Sequence, residues 1–340
     1  MAKVLVTGAT GFIAGHVIHQ LLEAGHEVTG TARSASKGAA LSQTISAYAG
    51  RPVSIPIREA DLSSSKGWAE AAQGMDYVQH IASPIPSHVP KNADELIIPA
   101  RDGAIRVLKA AKAAGVKRVV MTSSMAACAY GWGDKRPNPV TEEHWSKEDA
   151  INDTTPYTRS KTIAERAAWD YVNGEGKGLE LTTINPAAVL GPVMSGDFSA
   201  SVEILTQLLS GKLPGTPRTG FVIVDVRDVA AAHVLAMTNP AAAGERFLVG
   251  ERFLWFSEVA GVLRAHLPDY RSKVPDKELP NWMVKLIAMV NPPAKQLIPE
   301  LGRERHISAE KAKRILGWHP RSAEEAIISG AKSLIDFKVV

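Results

Sequence analysis

The sequence predicts an α/β protein, a doubly wound parallel sheet with a smaller carboxyl-terminal substrate lobe. Three observations lead to that class. The first half alternates short apolar runs with amphipathic helical patterns in repeated β-α-β order. Its first apolar run, Val4–Val6, breaks into glycines at Gly8 and Gly11, and a helical pattern starts at once. After about Pro186 prolines and glycines become frequent and the rhythm loosens.

The strands expected from the apolar runs are Val4–Val6, Glu27–Thr31, Val53–Ile57, Tyr77–Ile81, Val119–Thr122 and Leu181–Ile184. Between them, helices are expected at Phe12–Ala24, Ser65–Ala72, Asp94–Ala114 and Thr158–Asn173. In the first, Ile13, Val17 and Leu21 recur at helical spacing. Gly25 and Gly115 sit where helix C-caps belong. Helical patterns continue at Ser199–Leu209, Val226–Met237, Ser257–Leu267 and Ser308–Leu316, with Ser308 as N-cap and Gly317 just past the end. Residues 1–185 read as a dinucleotide-binding domain and 186–340 as the substrate-binding lobe, with some interleaving of the chain. Open α/β sheets bind ligands at the carboxyl ends of their strands, so the lobe is expected to cover that edge.

The 340 residues are enough for a substantial core, and the net charge of +4 is too small and too dispersed to suggest nucleic acid. One cysteine, Cys128, excludes an internal disulfide framework. The ten histidines form no H-x-x-x-H or H-E-x-x-H arrangement, so no metal site is expected. The chain enters a strand almost at once, leaving no room for a signal peptide, and no apolar stretch approaches a membrane span. A cytoplasmic protein with no membrane partner follows as the expectation.

Glycine at positions 8 and 11 lets the backbone turn sharply and approach a ligand without Cβ in the way. The first free N–H groups of the following helix, with its positive dipole end, then face an anion. This places Gly8, Thr10, Gly11, Phe12 and Ile13 around a pyrophosphate. The end of the second strand decides which dinucleotide. NAD sites carry an acid there for the ribose 2′-hydroxyl, whereas this chain reads Thr31-Ala32-Arg33-Ser34, followed by Lys37. Arg33 can fork onto a 2′-phosphate, Ser34 can donate to it and Lys37 adds a point charge. NADPH is therefore the expected cofactor. Asp61-Leu62 ends the third strand, where Asp61 either meets the adenine amino group or caps the next helix.

Further along stand Thr122-Ser123-Ser124, then Tyr157 and Lys161 four residues apart on one helix face. An ammonium beside a phenol favours phenolate, which would let the tyrosine exchange a proton with a carbonyl oxygen as hydride reaches its carbon. A serine at the end of the fifth strand would orient the same oxygen.

With these residues the chain resembles an extended short-chain dehydrogenase/reductase. It is most similar to the dihydroflavonol 4-reductase-like branch of NADPH-dependent aldehyde, ketone and methylglyoxal reductases. The matching stretches are V-T-G-A-T-G-F-I-A from Val6, T-A-R-S from Thr31, A-D-L from Ala60 and H-I-A-S-P from His80. Others are T-S-S-M-A-A from Thr122, P-Y-T-R-S-K-T-I-A-E from Pro156, I-N-P-A-A-V-L-G-P from Ile184, V-D-V-R-D-V-A from Val224 and K-A-K-R-I-L-G-W from Lys311. They span nearly the whole chain.

The resemblance implies a Rossmann fold and a role for each matching position. Ser124 would be the catalytic serine, Tyr157 the general acid, and Lys161 its partner and a ribose ligand. Thr122, Ile81, Ala82 and Ser83 would run beside the cofactor, with Pro186 and Val189 by the nicotinamide. Pro84, Ile85, Met125, Ala187 and Leu190 would line the substrate pocket, joined by Phe221 and Val224 from the lobe. Flavonoid reductases have an asparagine shortly after the serine, and the corresponding residue here is Ala129. The expected substrates are therefore small hydrophobic or aryl aldehydes, ketones and ketoesters, acted on by a monomer or homodimer. Competing readings are an NAD-dependent sugar-nucleotide epimerase or dehydratase and an NADPH-sensing regulator. His16, His80 and His233 read as packing or hydrogen-bonding residues, and Cys128 as a small buried hydrophobe.

Overall fold

A computed structural model of the chain describes residues 1–84, 92–196, 202–290 and 297–340. Its first half runs β1 (Lys3–Thr7), α1 (Phe12–Glu23), β2 (Glu27–Ala32), α2 (Lys37–Ala49) and β3 (Ile57–Glu59). It continues with α3 (Trp68–Ala72), β4 (Tyr77–His80), α4 (Asp94–Ala113), β5 (Arg118–Thr122), α5 (Pro156–Asn173) and β6 (Glu180–Pro186). The second half begins with β7 (Ala188–Leu190), α6 (Glu203–Leu209), β8 (Thr216–Pro217), β9 (Gly220–Asp225) and α7 (Val226–Thr238). It goes on through β10 (Arg246–Val249), β11 (Arg252–Trp255) and α8 (Phe256–His266).

Seven strands form one sheet in the order β10-β6-β5-β4-β1-β2-β3, and every pairing in it is parallel. A parallel sheet must be covered on both faces, and two apolar clusters do this. One joins α1 and α7 to the sheet through Val4, Val17, Ile18 and Val229. The other joins α3, α4 and α5 through Leu5, Trp68, Leu108 and Ala168. A third cluster, around Leu205, Ile223, Leu263 and Ile327, is the core of the lobe. There β7, β9 and β11 make a small mixed sheet. The strand order reverses between β1 and β4, which opens a crevice at their carboxyl ends.

The boundary expected at 185 falls inside β6, and two later elements return to the first unit. Strand β10 extends the large sheet beside β6, and α7 packs on α1. Four completely buried residues, Val229, Ala230, Ala232 and Ala236, explain why α7 belongs to that core.

The third strand also differs from expectation, covering Ile57–Glu59 rather than Val53–Ile57. Pro52 and Pro56 bracket the earlier residues and have no N–H to give to a ladder. Two serines of α2 accept the intervening amides: Val53 N–H donates to Ser46 Oγ at 2.8 Å and Ile55 N–H to Ser42 Oγ at 3.1 Å. Helix α2 itself was hidden because it buries only Leu41 and Ile45. Helix α3 starts at Trp68, not Ser65, since the Trp68 indole N–H bonds the Asp61 and Ser64 carbonyls and holds a turn there. The helix expected from Ser308 spans Glu310–Leu316, and the Ser308 hydroxyl accepts from Glu310 N–H at 3.4 Å. Of the helix expected at Ser199–Leu209, residues 199–201 lie outside the described residues.

Candidate active site

At the carboxyl edge of the sheet a cleft of about 710 Å³ runs from the β1–α1 turn to the start of α5. The turn is built as its glycines require. Gly8 has φ +64°, and a Cβ there would stand 3.0 Å from Ala82 Cα on the neighbouring strand end. At Gly30 in β2 a Cβ would meet Ala9 Cβ at 2.6 Å, so that glycine lets the turn sit down on the sheet. Gly11 enters α1 in extended conformation with no side-chain cap, which leaves the helix start open towards the cleft.

Along the cleft lie Gly8, Thr10, Gly11, Phe12, Ile13, Arg33, Asp61, Leu62, Ile81, Ala82, Ser83, Thr122, Pro186 and Val189. Tyr157, Lys161 and Ser124 share it, together with Pro84 and Ala187. Sequence reasoning left out Thr31, Ala32, Ala60, Ser63, Trp68, Glu95, Leu96, Pro99 and Ser123, which line the same cleft. The acidic first turn of α4 was a signal for Glu95.

Several expected residues stand elsewhere. The Ser34 hydroxyl is engaged with Ser36 at 2.7 Å, and Lys37 is the exposed first residue of α2; neither lines the cleft. Asp61 lines the cleft but does not cap α3: its carboxylate accepts from Ser63 N–H and the Ser63 hydroxyl, both at 2.8 Å, within a turn. These bonds hold its carboxyl below the usual carboxylate range. Met125 and Val224 are buried in the apolar core beneath the sheet edge. Leu190 is buried in the lobe core, and Phe221 packs edge-on against Phe256 there. All four turn towards apolar neighbours instead of the cleft wall. Ala129 is fully buried, and its carbonyl accepts from Arg305 at 2.8 Å. Ile85 lies outside the described residues.

Helix α5 delivers the reactive side chains. Its start is fixed by a capping box between Thr155 and Thr158 and by Pro156 in the first turn. One turn apart, Tyr157 is 45% exposed whereas Lys161 is buried. The Lys161 ammonium lies 5.9 Å from the centre of the Tyr157 ring and donates to Ser83 Oγ at 3.0 Å. Ser124 is extended, with φ −163° and ψ 154°, and its Oγ accepts from Ala126 N–H at 3.1 Å.

Two buried histidines hold the strand ends. The Thr7 hydroxyl accepts from Ile81 and Ala82 N–H at 3.1 and 3.0 Å, so its own proton goes to His80 Nδ1 at 2.9 Å. His233 Nδ1–H donates to Gln79 Oε1 at 2.8 Å, which leaves Nε2 to accept from Thr122 Oγ1 at 2.9 Å. Burial pushes both histidines down to about 3, and the nearby Lys161 charge adds to this at His80. His16 reaches the Pro192 carbonyl at 2.9 Å and is lowered by burial to about 4. Burial pushes the Cys128 thiol up to about 12, so it is an inert thiol. Among the described residues, no cluster of His, Cys, Asp or Glu could hold a metal ion, and no helix is long and apolar enough to cross a membrane.

A doubly wound sheet whose switch-point cleft unites a glycine turn with serine, tyrosine and lysine defines an extended short-chain dehydrogenase/reductase. The chain belongs to the NAD dependent epimerase/dehydratase family, which it matches over residues 4–250. It is 35% identical over 277 residues to cinnamoyl-CoA reductase CAD2 of Medicago truncatula, covering 81% of this chain and 83% of that one. It also superposes on yeast methylglyoxal/isovaleraldehyde reductase Gre2 complexed with NADPH, with TM-score 0.80, 26% identity and 99% of each chain covered. Vestitone reductase from alfalfa (Medicago sativa) matches over 100% of both chains, with TM-score 0.76 and 25% identity.

Proposed function

We propose that this chain is an NADPH-dependent carbonyl reductase that converts small hydrophobic or aryl aldehydes, ketones or ketoesters to alcohols. One observation carries the reading: the cleft has Arg33 at one end and Ser124, Tyr157 and Lys161 at the other. The residues present suit the cofactor. Gly8 and Gly11 leave backbone room for a pyrophosphate at the start of α1, and no acid stands between Thr31 and Ser34 to repel a 2′-phosphate. Arg33 would bind that phosphate, and Lys161 with Ser83 would hold the nicotinamide ribose. NADPH, when bound, supplies the hydride.

The protein's part is to bind, orient and protonate. Because Ser124 Oγ already accepts from Ala126 N–H, its proton is free to be donated to a substrate carbonyl oxygen. Tyr157 then gives its proton to the oxygen as negative charge develops there. The positive charge of Lys161 stabilises the phenolate left behind. Among the described residues, Pro84, Ala187 and Val189 give this end an apolar wall. Such a wall selects by size and shape, worth about 1–3 kcal/mol per methylene, and supports a broad substrate range.

Purified protein mixed with NADPH and an aryl ketone should consume NADPH and form the alcohol. Tightly held NAD⁺ after purification, with no NADPH turnover, would instead establish an epimerase or dehydratase.

A further inference from the structure

We infer that Glu165 is a positioning residue for Ser124, acting from the buried middle of α5; this rests on the reading of Ser124 as catalytic. Tyr157, Lys161 and Glu165 follow one another at four-residue intervals, yet only the first two reach the cleft. Glu165 is 0% exposed and passes under the carboxyl ends of β5 and β6.

Its carboxylate has five donor groups within hydrogen-bond distance, of which the Thr183 hydroxyl lies equally close to Asn185 Oδ1. Arg246 Nε lies at 2.6 Å, Asn185 Nδ2 at 2.6 Å, Thr183 Oγ1 at 3.0 Å and Trp169 Nε1 at 3.3 Å. The Ser123 hydroxyl makes the fifth and shortest bond. A carboxylate offers about four lone-pair sites, so the group is saturated. Charge balance alone needs only Arg246. The other donors have a second consequence, because two of them adjoin cleft residues directly.

Ser123 precedes Ser124, and Asn185 precedes Pro186. The remaining N–H of Asn185 reaches the Ser124 carbonyl at 3.2 Å. Ser123 N–H donates to the Ile184 carbonyl at 2.7 Å, which ties the two strand ends together. One buried carboxylate thus fixes the side chain before Ser124 and the amide that grips Ser124 itself. Rotation about this short extended segment would swing Ser124 Oγ away from the carbonyl oxygen. A displacement of about 1 Å in such a group costs roughly 100-fold in rate.

The test is a double-mutant cycle between Glu165→Gln and Ser124→Ala, read by single-turnover reduction, with NADPH affinity and melting temperature measured alongside. Glu165→Gln should slow the chemical step about 10- to 100-fold while NADPH affinity stays within about twofold. In the Ser124→Ala background the same substitution should cost less than about threefold. An equal loss in both backgrounds, or unchanged turnover for Glu165→Gln alone, overturns the inference. Where Glu165→Gln fails to fold, Asn185→Ala in the same cycle must show the same cancellation, and additivity there overturns the inference equally. Full turnover by Ser124→Ala alone removes the reading of Ser124 and the inference with it, a pattern distinct from either of the others.

Discussion

Successive turns of helix α5 treat charge in opposite ways. Towards the cleft, Tyr157 is half-exposed and Lys161 donates to Ser83. Towards the sheet, Glu165 is sealed among five donors, and Arg246 stacks 3.7 Å from the centre of the Trp145 ring. The front keeps polar groups uncommitted so that a ligand can complete them. The back completes every bond inside the protein, which makes it rigid and costly to disturb. Reactivity and rigidity are thus separated by a single turn along one helix, and each predicts a different kind of damage.

The largest effect belongs to the front. Tyr157→Phe keeps the ring and removes the proton donor, so kcat should fall roughly 100- to 10,000-fold. Its melting temperature and NADPH affinity should be unchanged. A variant with turnover within tenfold of the parent would take the tyrosine out of the chemistry and erase the contrast.

On the back, Arg246→Met should do the reverse. The arginine also donates to the Glu142 and His144 carbonyls and to Cys128 Sγ. Removing it leaves Glu165 buried without its counter-charge, a loss of about 3–5 kcal/mol. Denaturant unfolding measures this directly, and a loss below about 1 kcal/mol would mean the remaining donors suffice.

The cleft side and the sheet side also differ in how far the sequence revealed them. Tyr157 and Lys161 are legible because one helix turn places them together, and the Gly8–Gly11 turn because strand, glycines and helix are contiguous. The back is assembled from residues 123, 165, 183, 185 and 246, and no local pattern links those positions. Only strand pairing brings them together: β5 beside β6 and β6 beside β10. The same limit explains Leu190 and Val224. Their apolar character was clear, but whether a strand residue faces a cleft or a core is decided by register. Ser34 and Lys37 show the converse, polar residues near the right place whose local turn and helix direct them away.

At the far end of the cleft, Arg33 sharpens the contrast from the ligand's side. It is exposed and lines the wall, so its substitution should touch no internal bond of the kind that surrounds Glu165. Arg33→Ala should weaken NADPH binding by about 1.5–3 kcal/mol, the range for a hydrogen bond to a charged group, and leave NADH binding nearly unchanged. Titration of both cofactors against the variant reads the difference. Equal weakening of the two would assign Arg33 to a part of the dinucleotide that they share.

The smallest effect is a pH dependence of the buried polar groups behind the strand ends. His80 and His233 titrate at about 3 and His16 at about 4 in the folded protein, against 6.5 for an open histidine. Between those values the unfolded chain binds more protons than the native one, so stability is full above the unfolded value and declines as pH falls below it. Each histidine should cost about 1.4 kcal/mol one pH unit below that value. Burial raises the carboxyls of Glu142 and Asp228, and these oppose the trend towards still lower pH, where they hold protons more tightly than the unfolded chain does. His233→Asn, unfolded with denaturant one unit above and one unit below the open histidine value, should therefore lose less stability between them than the parent does. Identical losses would mean that His233 is protonated within the fold. Its bond to Thr122 would then be reversed, and the back of the cleft would be as responsive to solvent as the front.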